Sequence, residues 1–127
     1  MYKLTLIAIG GAGGAVARYV LAGWGQRLTE TAFPLGTLLV NLVGCLLIGI
    51  GAAIFAGPAI VREEVRLGLL VGFVGGFTTF STFGYESFAL LSEREWWLAT
   101  LNLLGSNVLG VLAVFMGYRV TVGLQGV

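Results

Sequence analysis

Three stretches without a charged residue, at positions 31–61, 67–85 and 96–118, constrain this chain more than any other feature. Each is long enough to supply the ~20 apolar residues that a helix needs to cross a hydrocarbon core. Residues 4–24 form a fourth such stretch, interrupted only by Arg18. Inside a bilayer the backbone must satisfy its own hydrogen bonds, so each stretch is expected to be a helix. The expected fold is an all-α membrane protein, one domain over residues 1–127, with spans at about 4–26, 33–56, 64–91 and 95–122, the third broken near Gly75–Thr79.

The rest of the composition agrees with that reading and closes other routes. The chain is 57% hydrophobic and 10% charged, with a mean hydropathy of +0.97, which leaves no segment for a soluble domain. A net charge of +1 without a basic patch argues against a nucleic-acid partner. The absence of histidine excludes a His-based metal site or proton relay, and the single Cys45 excludes an intrachain disulfide. Lys3 ahead of an apolar run has the outline of a secretory signal, but Arg18 followed by more apolar residues fits a span carrying a functional charge. A dinucleotide fingerprint starting at Gly11 and Gly13 fails, because Val16 stands where the third glycine is needed and no βαβ alternation follows.

Pro34 stands where a helix would begin and Gly57-Pro58 where one would end. Four spans place Lys3, Arg62, Arg66 and Arg119 on one side of the membrane and Arg27 and Arg94 on the other. A bias of four against two is weak by the positive-inside rule, so the chain is expected to insert both ways. One bundle of four helices is small for enclosing a pathway, and association is expected. Gly68, Gly72 and Gly76 form two GxxxG steps, and Gly10 and Gly14 a third. Such smooth faces let backbones approach closely, either within one subunit or between two.

The chemistry concentrates in Gly72-Phe-Val-Gly-Gly-Phe-Thr-Thr-Phe-Ser-Thr-Phe83. A helix interrupted at Gly75-Gly76 would release the carbonyls of Gly75 and Thr78 from their amide partners, and such oxygens suit a hard cation such as Na⁺. The alternative is an intact helix whose threonines bond back to carbonyls four residues earlier. Phe80 and Phe83, three residues apart, would share a helix face; they are either packing residues or rings whose positive edges face a small anion.

Each of the other spans also carries polar groups, which hydrocarbon tolerates only with partners or a wet cavity. Asn41 shares a face with Thr37 and Gly44. It is either a structural interhelical hydrogen bond, worth about 0.6 kcal/mol, or an N–H donor to a dehydrating ion. Arg18 either snorkels to the surface or stands as a fixed cation in a vestibule. Glu86 reaches headgroups, pairs with an arginine, or closes a pathway by competing with an anion. Asn102, Ser106 and Asn107 are the polar residues of the fourth span.

Taken together, Gly-Gly-Ala-Val-Ala-Arg18-Tyr, Pro34-Leu-Gly-Thr-Leu-Leu-Val-Asn41-Leu-Val-Gly and the motif ending at Phe83 resemble the CrcB/Fluc family of fluoride channels, over three spans and in the same order. The resemblance implies an antiparallel, dual-topology homodimer with two fluoride pathways and a structural Na⁺ at the dimer interface. By motif position, the Na⁺ ligands would be the carbonyls of Gly75 and Thr78. Asn41, Phe80, Ser81, Thr82 and Phe83 would line the fluoride pathway, and Arg18 and Glu86 would be vestibule charges. Some members carry a tyrosine and a serine four residues apart in the last span; Leu103 and Asn107 occupy those places in the expected alignment, which makes Asn107 the pathway residue of that helix.

The function expected is passive export of cytoplasmic fluoride through the cell membrane of a bacterium or archaeon, with no enzymatic step and no nucleotide. A small dual-topology multidrug or cation transporter is the alternative. It would be expected to hold a buried glutamate in its first helix, where this chain has Arg18. A non-conducting structural subunit would not need polar groups in every span.

Overall fold

The computed structural model describes residues 1–126, and among these the regular structure is helical throughout. Four helices are long and apolar enough to cross a membrane: α1 (Tyr2–Gln26), α2 (Leu35–Ala56), α3 (Glu63–Ser92) and α4 (Trp96–Leu124). At ~1.5 Å per residue each exceeds the ~30 Å hydrocarbon thickness. The observed bounds lie within two residues of the expected ones. The chain is therefore a multi-pass membrane protein.

Local sequence explains the ends. Pro34 caps α2, and Gly57 ends it in an extended conformation just ahead of Pro58. The α1–α2 turn is fastened by Gln26, which donates to the Phe33 carbonyl at 3.1 Å and accepts from the Gly36 N–H at 3.2 Å. Between α3 and α4, Arg94 takes a left-handed φ of 61°. Its N–H bonds the Leu91 carbonyl at 3.1 Å while that of Glu95 bonds the Leu90 carbonyl at 2.9 Å. This is a Schellman closure with arginine in the place usually held by glycine.

The glycine steps hold the bundle together within the subunit. A Cβ on Gly76 would stand 2.6 Å from the Gly11 carbonyl oxygen, and one on Gly72 2.7 Å from that of Ile7. Cβ atoms on Gly10 and Gly14 would fall on the carbonyl oxygens of Gly68 and Phe73. The two GxxxG faces therefore mesh with each other, α1 against the first part of α3. Of the two uses left open for them, the internal one is observed. On an ordinary α-helix residues four apart drift by about 40°. Leu67–Val74 instead forms a π-helix, whose longer hydrogen-bonded turn keeps Gly68 and Gly72 closer to one line. On the other side Gly49 and Gly117 bring α2 and α4 together in the same manner, against Val114 and Leu46.

The interior is correspondingly thin and unusually polar. Val40, Val74, Phe77, Phe83 and Leu90 are buried, but so are Thr37, Thr79, Ser87 and Asn102. Most large apolar side chains face outward, as a protein solvated by lipid requires.

Candidate functional site

The third span is broken at Thr78 and Thr79. Their backbones are extended, with φ/ψ of −80°/157° and −147°/116°. The glycines are not the break: Gly75 is helical at φ −62° and ψ −39°, and Gly75–Phe77 form the last turn of the first arm. The cause lies on another helix. Asn41 of α2 accepts from the Thr79 N–H at 2.9 Å and donates to the Thr79 carbonyl at 3.0 Å. This two-point clamp replaces the helical bonds that Thr79 would otherwise make. The second arm, Phe80–Ser92, then restarts from Thr79, whose hydroxyl accepts from the Thr82 N–H at 3.2 Å and donates to the Thr82 hydroxyl at 3.0 Å.

The clamp frees two carbonyls. An unbroken helix would bring the Thr79 N–H to Gly75 and the Thr82 N–H to Thr78, and both donors are engaged elsewhere. The Thr78 carbonyl accepts instead from the Arg18 guanidinium at 3.3 Å. Arg18 thus turns inward to the break and does not snorkel to the surface. Gly75 is exposed, with nothing but the Leu70 carbonyl near its α-carbon face. Oxygens released in this way fit the donor chemistry of a hard cation, with one direction at Thr78 already taken by Arg18.

Asn41 is consumed mainly in structure: one amide hydrogen and the amide oxygen hold Thr79, leaving one hydrogen for another acceptor. The Phe80 and Phe83 rings adjoin, with centroids 5.7 Å apart and planes tilted by 44°. They differ in setting, since Phe83 is 7% exposed and Phe80 82% exposed. Ser81 and Thr82 are exposed beside Phe80. Glu86 accepts from the Thr37 hydroxyl at 2.8 Å, while its Oε2 is enclosed without a hydrogen-bond partner in the described residues. No arginine pairs with it there; the two ion pairs, Lys3–Glu63 and Arg62–Glu64, both involve the α2–α3 end of the bundle.

On α4 the structure does not bring Asn107 to the break. That residue is exposed, and its amide donates to the Leu103 carbonyl at 2.6 Å. Its neighbours point inward. Asn102, 2% exposed, donates to the Ser87 hydroxyl at 3.0 Å and accepts from the Ser106 hydroxyl at 3.2 Å. Ser87 in turn donates to the Phe83 carbonyl at 2.7 Å. This relay ties α4 to the second arm at the Phe83 backbone. Ser87 was not among the residues singled out from sequence; its only signal was a hydroxyl four positions after Phe83.

Two cavities meet at the break. One, of 840 Å³, is lined by Arg18, Tyr19, Trp24, Arg27, Thr37, Thr79 and Thr82. The other, of 350 Å³, is lined by Asn41, Cys45, Gly75, Thr78, Thr79 and Phe80. Thr79 borders both, so the clamped pair forms a thin wall with backbone polar groups on it.

A family model described as CrcB-like protein, Camphor Resistance (CrcB), matches residues 5–118. The chain belongs to the CrcB family. Within the family's wider similarity, a fluoride-specific ion channel FluC of Nitrosococcus oceani is 44% identical over 119 residues, covering 94% of this chain and 95% of the relative. Proteins of the same description from Geobacter sulfurreducens and Chloroflexus aurantiacus are 47% and 46% identical over 117 residues, each covering 92% of this chain, with 94% and 93% of the relatives covered. These relatives are bacterial. The family match spans all four helices, so the broken α3 and its partners on α1, α2 and α4 lie within the shared region.

Proposed function

We propose that this chain is a fluoride-selective channel of the cell membrane that exports cytoplasmic fluoride passively and so confers resistance to it. The observation that carries this reading is the clamped break at Thr78 and Thr79, with two cavities, an aromatic pair and a row of hydroxyls converging on it in a chain similar to fluoride-specific channels. Hydrogen fluoride enters a cell as the neutral acid and ionises in a less acidic cytoplasm, so a passive exit suffices and no enzymatic step is needed.

The residues divide the work by chemistry. Arg18 and the Thr82 hydroxyl, which accepts from Thr79 and so keeps its own hydrogen free, border the large cavity, where fixed positive charge and an O–H donor draw in an anion. Past the break, the edges of Phe80 and Phe83, with Ser81 and the remaining Asn41 hydrogen, offer weak donors to a dehydrated ion. No full charge binds it there, so it can leave. On α4 Asn102 and Ser106 suit the pathway better than Asn107, because they connect through Ser87 to the Phe83 backbone. Glu86, held by Thr37, stands beyond the rings as a group that competes with fluoride for donors.

The subunit is incomplete alone. Phe80, Ser81, Thr82 and Asn107 are exposed at membrane depth, and polar groups facing hydrocarbon are costly. A second, antiparallel copy would cover them, in keeping with the weak charge bias across the membrane. The carbonyls of Gly75 and Thr78 from both copies would hold Na⁺, which supplies fixed positive charge and joins the two breaks. Removal of Na⁺ is expected to lower flux or dimer stability without changing anion preference; full activity after exhaustive removal contradicts the site.

The test of the function is efflux from liposomes containing only this chain. Fluoride is expected to leave far faster than chloride, and equal rates for the two anions contradict the proposal.

A further inference from the structure

The 840 Å³ cavity is much larger than a monatomic anion needs, and one end of it carries an exposed indole that such an ion does not need. Arg27 and Trp24 stand three residues apart at the end of α1, on one helix face, and both line it. Trp24 is 54% exposed. Among the described residues the Arg27 side chain makes no hydrogen bond or ion pair, whereas Arg18, ~13.5 Å further along the helix axis, is engaged with the Thr78 carbonyl. Between the two arginines the lining is Ala22, Gly23 and Val20, small or apolar, with Tyr19 beside Arg18. A free guanidinium fork and an accessible indole lining one cavity, with a mostly apolar wall, match a flat apolar body that carries an oxyanion at one edge.

We propose that this mouth binds an aromatic oxyanion, an aryl sulfonate or carboxylate, and that its occupancy stops ion flow through the cavity. The oxyanion takes both arms of the Arg27 fork. The ring lies offset on the Trp24 indole, where stacking adds to apolar contact. The bound molecule then stands across the approach to Arg18, Thr79 and Thr82. A lipid phosphate could satisfy Arg27, but it brings no ring to Trp24. This inference rests on the fluoride-channel reading, and its test separates the two.

Fluoride efflux is measured from liposomes of neutral lipid, with benzenesulfonate on both faces of the membrane; the permanent charge keeps the probe from crossing as a neutral acid. Dose-dependent block is expected. Arg27→Gln should weaken the block about tenfold, and Trp24→Leu about fivefold, each block being measured against that variant's own flux without the probe. Methanesulfonate, with the same charge and no ring, should block about fivefold more weakly than benzenesulfonate. Normal flux with no block, or equal block in Arg27→Gln, overturns the site. Slower flux in vesicles containing phosphatidylglycerol, relieved by Arg27→Gln, with no block by benzenesulfonate, overturns it in favour of a lipid headgroup. Absence of flux from the untreated protein overturns the channel reading, and this site with it.

Discussion

The two arms of α3 are held in opposite ways. The first arm lies against α1 along glycines, its backbone so near that a Cβ at Gly72 or Gly76 has no room. The second arm is fixed by side-chain hydrogen bonds from α2 and α4, through Asn41, Thr37 and Asn102. Close backbone packing gives a rigid frame but presents no chemistry. Hydrogen-bonded polar groups hold less firmly, yet they leave donors at membrane depth, which is what conduction of a small anion requires. The break at Thr78 and Thr79 is where one mode of holding passes to the other.

The largest expected effect comes from violating the frame. Gly14→Val places a branched side chain on the Phe73 carbonyl, and backbone cannot yield as a side-chain tip would. A loss of about 3 kcal/mol or more is expected, seen as failure to purify as a monodisperse protein in detergent. Gly84→Ala, where nothing lies within 4 Å, should behave as the parent does. Equal behaviour of the two variants would break the comparison between arms.

Next in size are changes that touch the chemistry and spare the frame. Replacing Phe80 and Phe83 together by Ile keeps apolar bulk and removes the ring edges, and fluoride efflux should fall by about tenfold or more while assembly is retained. Unchanged efflux would make the rings packing residues. Asn102→Leu tests the relay behind them. Its stability cost should stay near the ~0.6 kcal/mol typical of an interhelical hydrogen bond, since Ser87 keeps its bond to Phe83, whereas efflux should drop several-fold. A stability loss without an efflux loss would confine Asn102 to structure.

The smallest effect lies outside both arms. Arg94→Gly relieves a left-handed arginine in the turn after α3 and should stabilise the fold by about 1 kcal/mol, read as a raised unfolding midpoint with unaltered efflux. Destabilisation would mean that the arginine side chain contributes something the backbone geometry does not reveal.

The spans were legible because charge-free length in a membrane protein has few other meanings, and their bounds needed no tertiary information. The meshing glycines were visible too, although spacing alone could not say whether Gly68, Gly72 and Gly76 met α1 or another subunit. The break was legible to within Gly75–Thr79 but not to the residue. Gly75-Gly76 is the weaker helix former, yet the helix ends two residues later, because Asn41 on a different helix supplies the competing bonds. The same limit applies to α4, which is apolar almost all round. With no polar face to orient it, nothing in the sequence distinguishes the inward Asn102 and Ser106 from the outward Asn107. Arg18 was legible as unusual, while its partner, a backbone carbonyl on a distant segment, carries no side-chain signature at all.

The central claim is that the Asn41 clamp at Thr79 builds the fluoride route, and the most direct measurement is fluoride efflux from liposomes carrying Asn41→Ala beside liposomes carrying the parent chain. Removing the side chain leaves the Thr79 N–H and carbonyl without their partners at membrane depth. The account predicts an efflux lower by about tenfold or more, from a protein that still purifies as the parent does because the glycine frame is intact. Parental efflux from Asn41→Ala would contradict it.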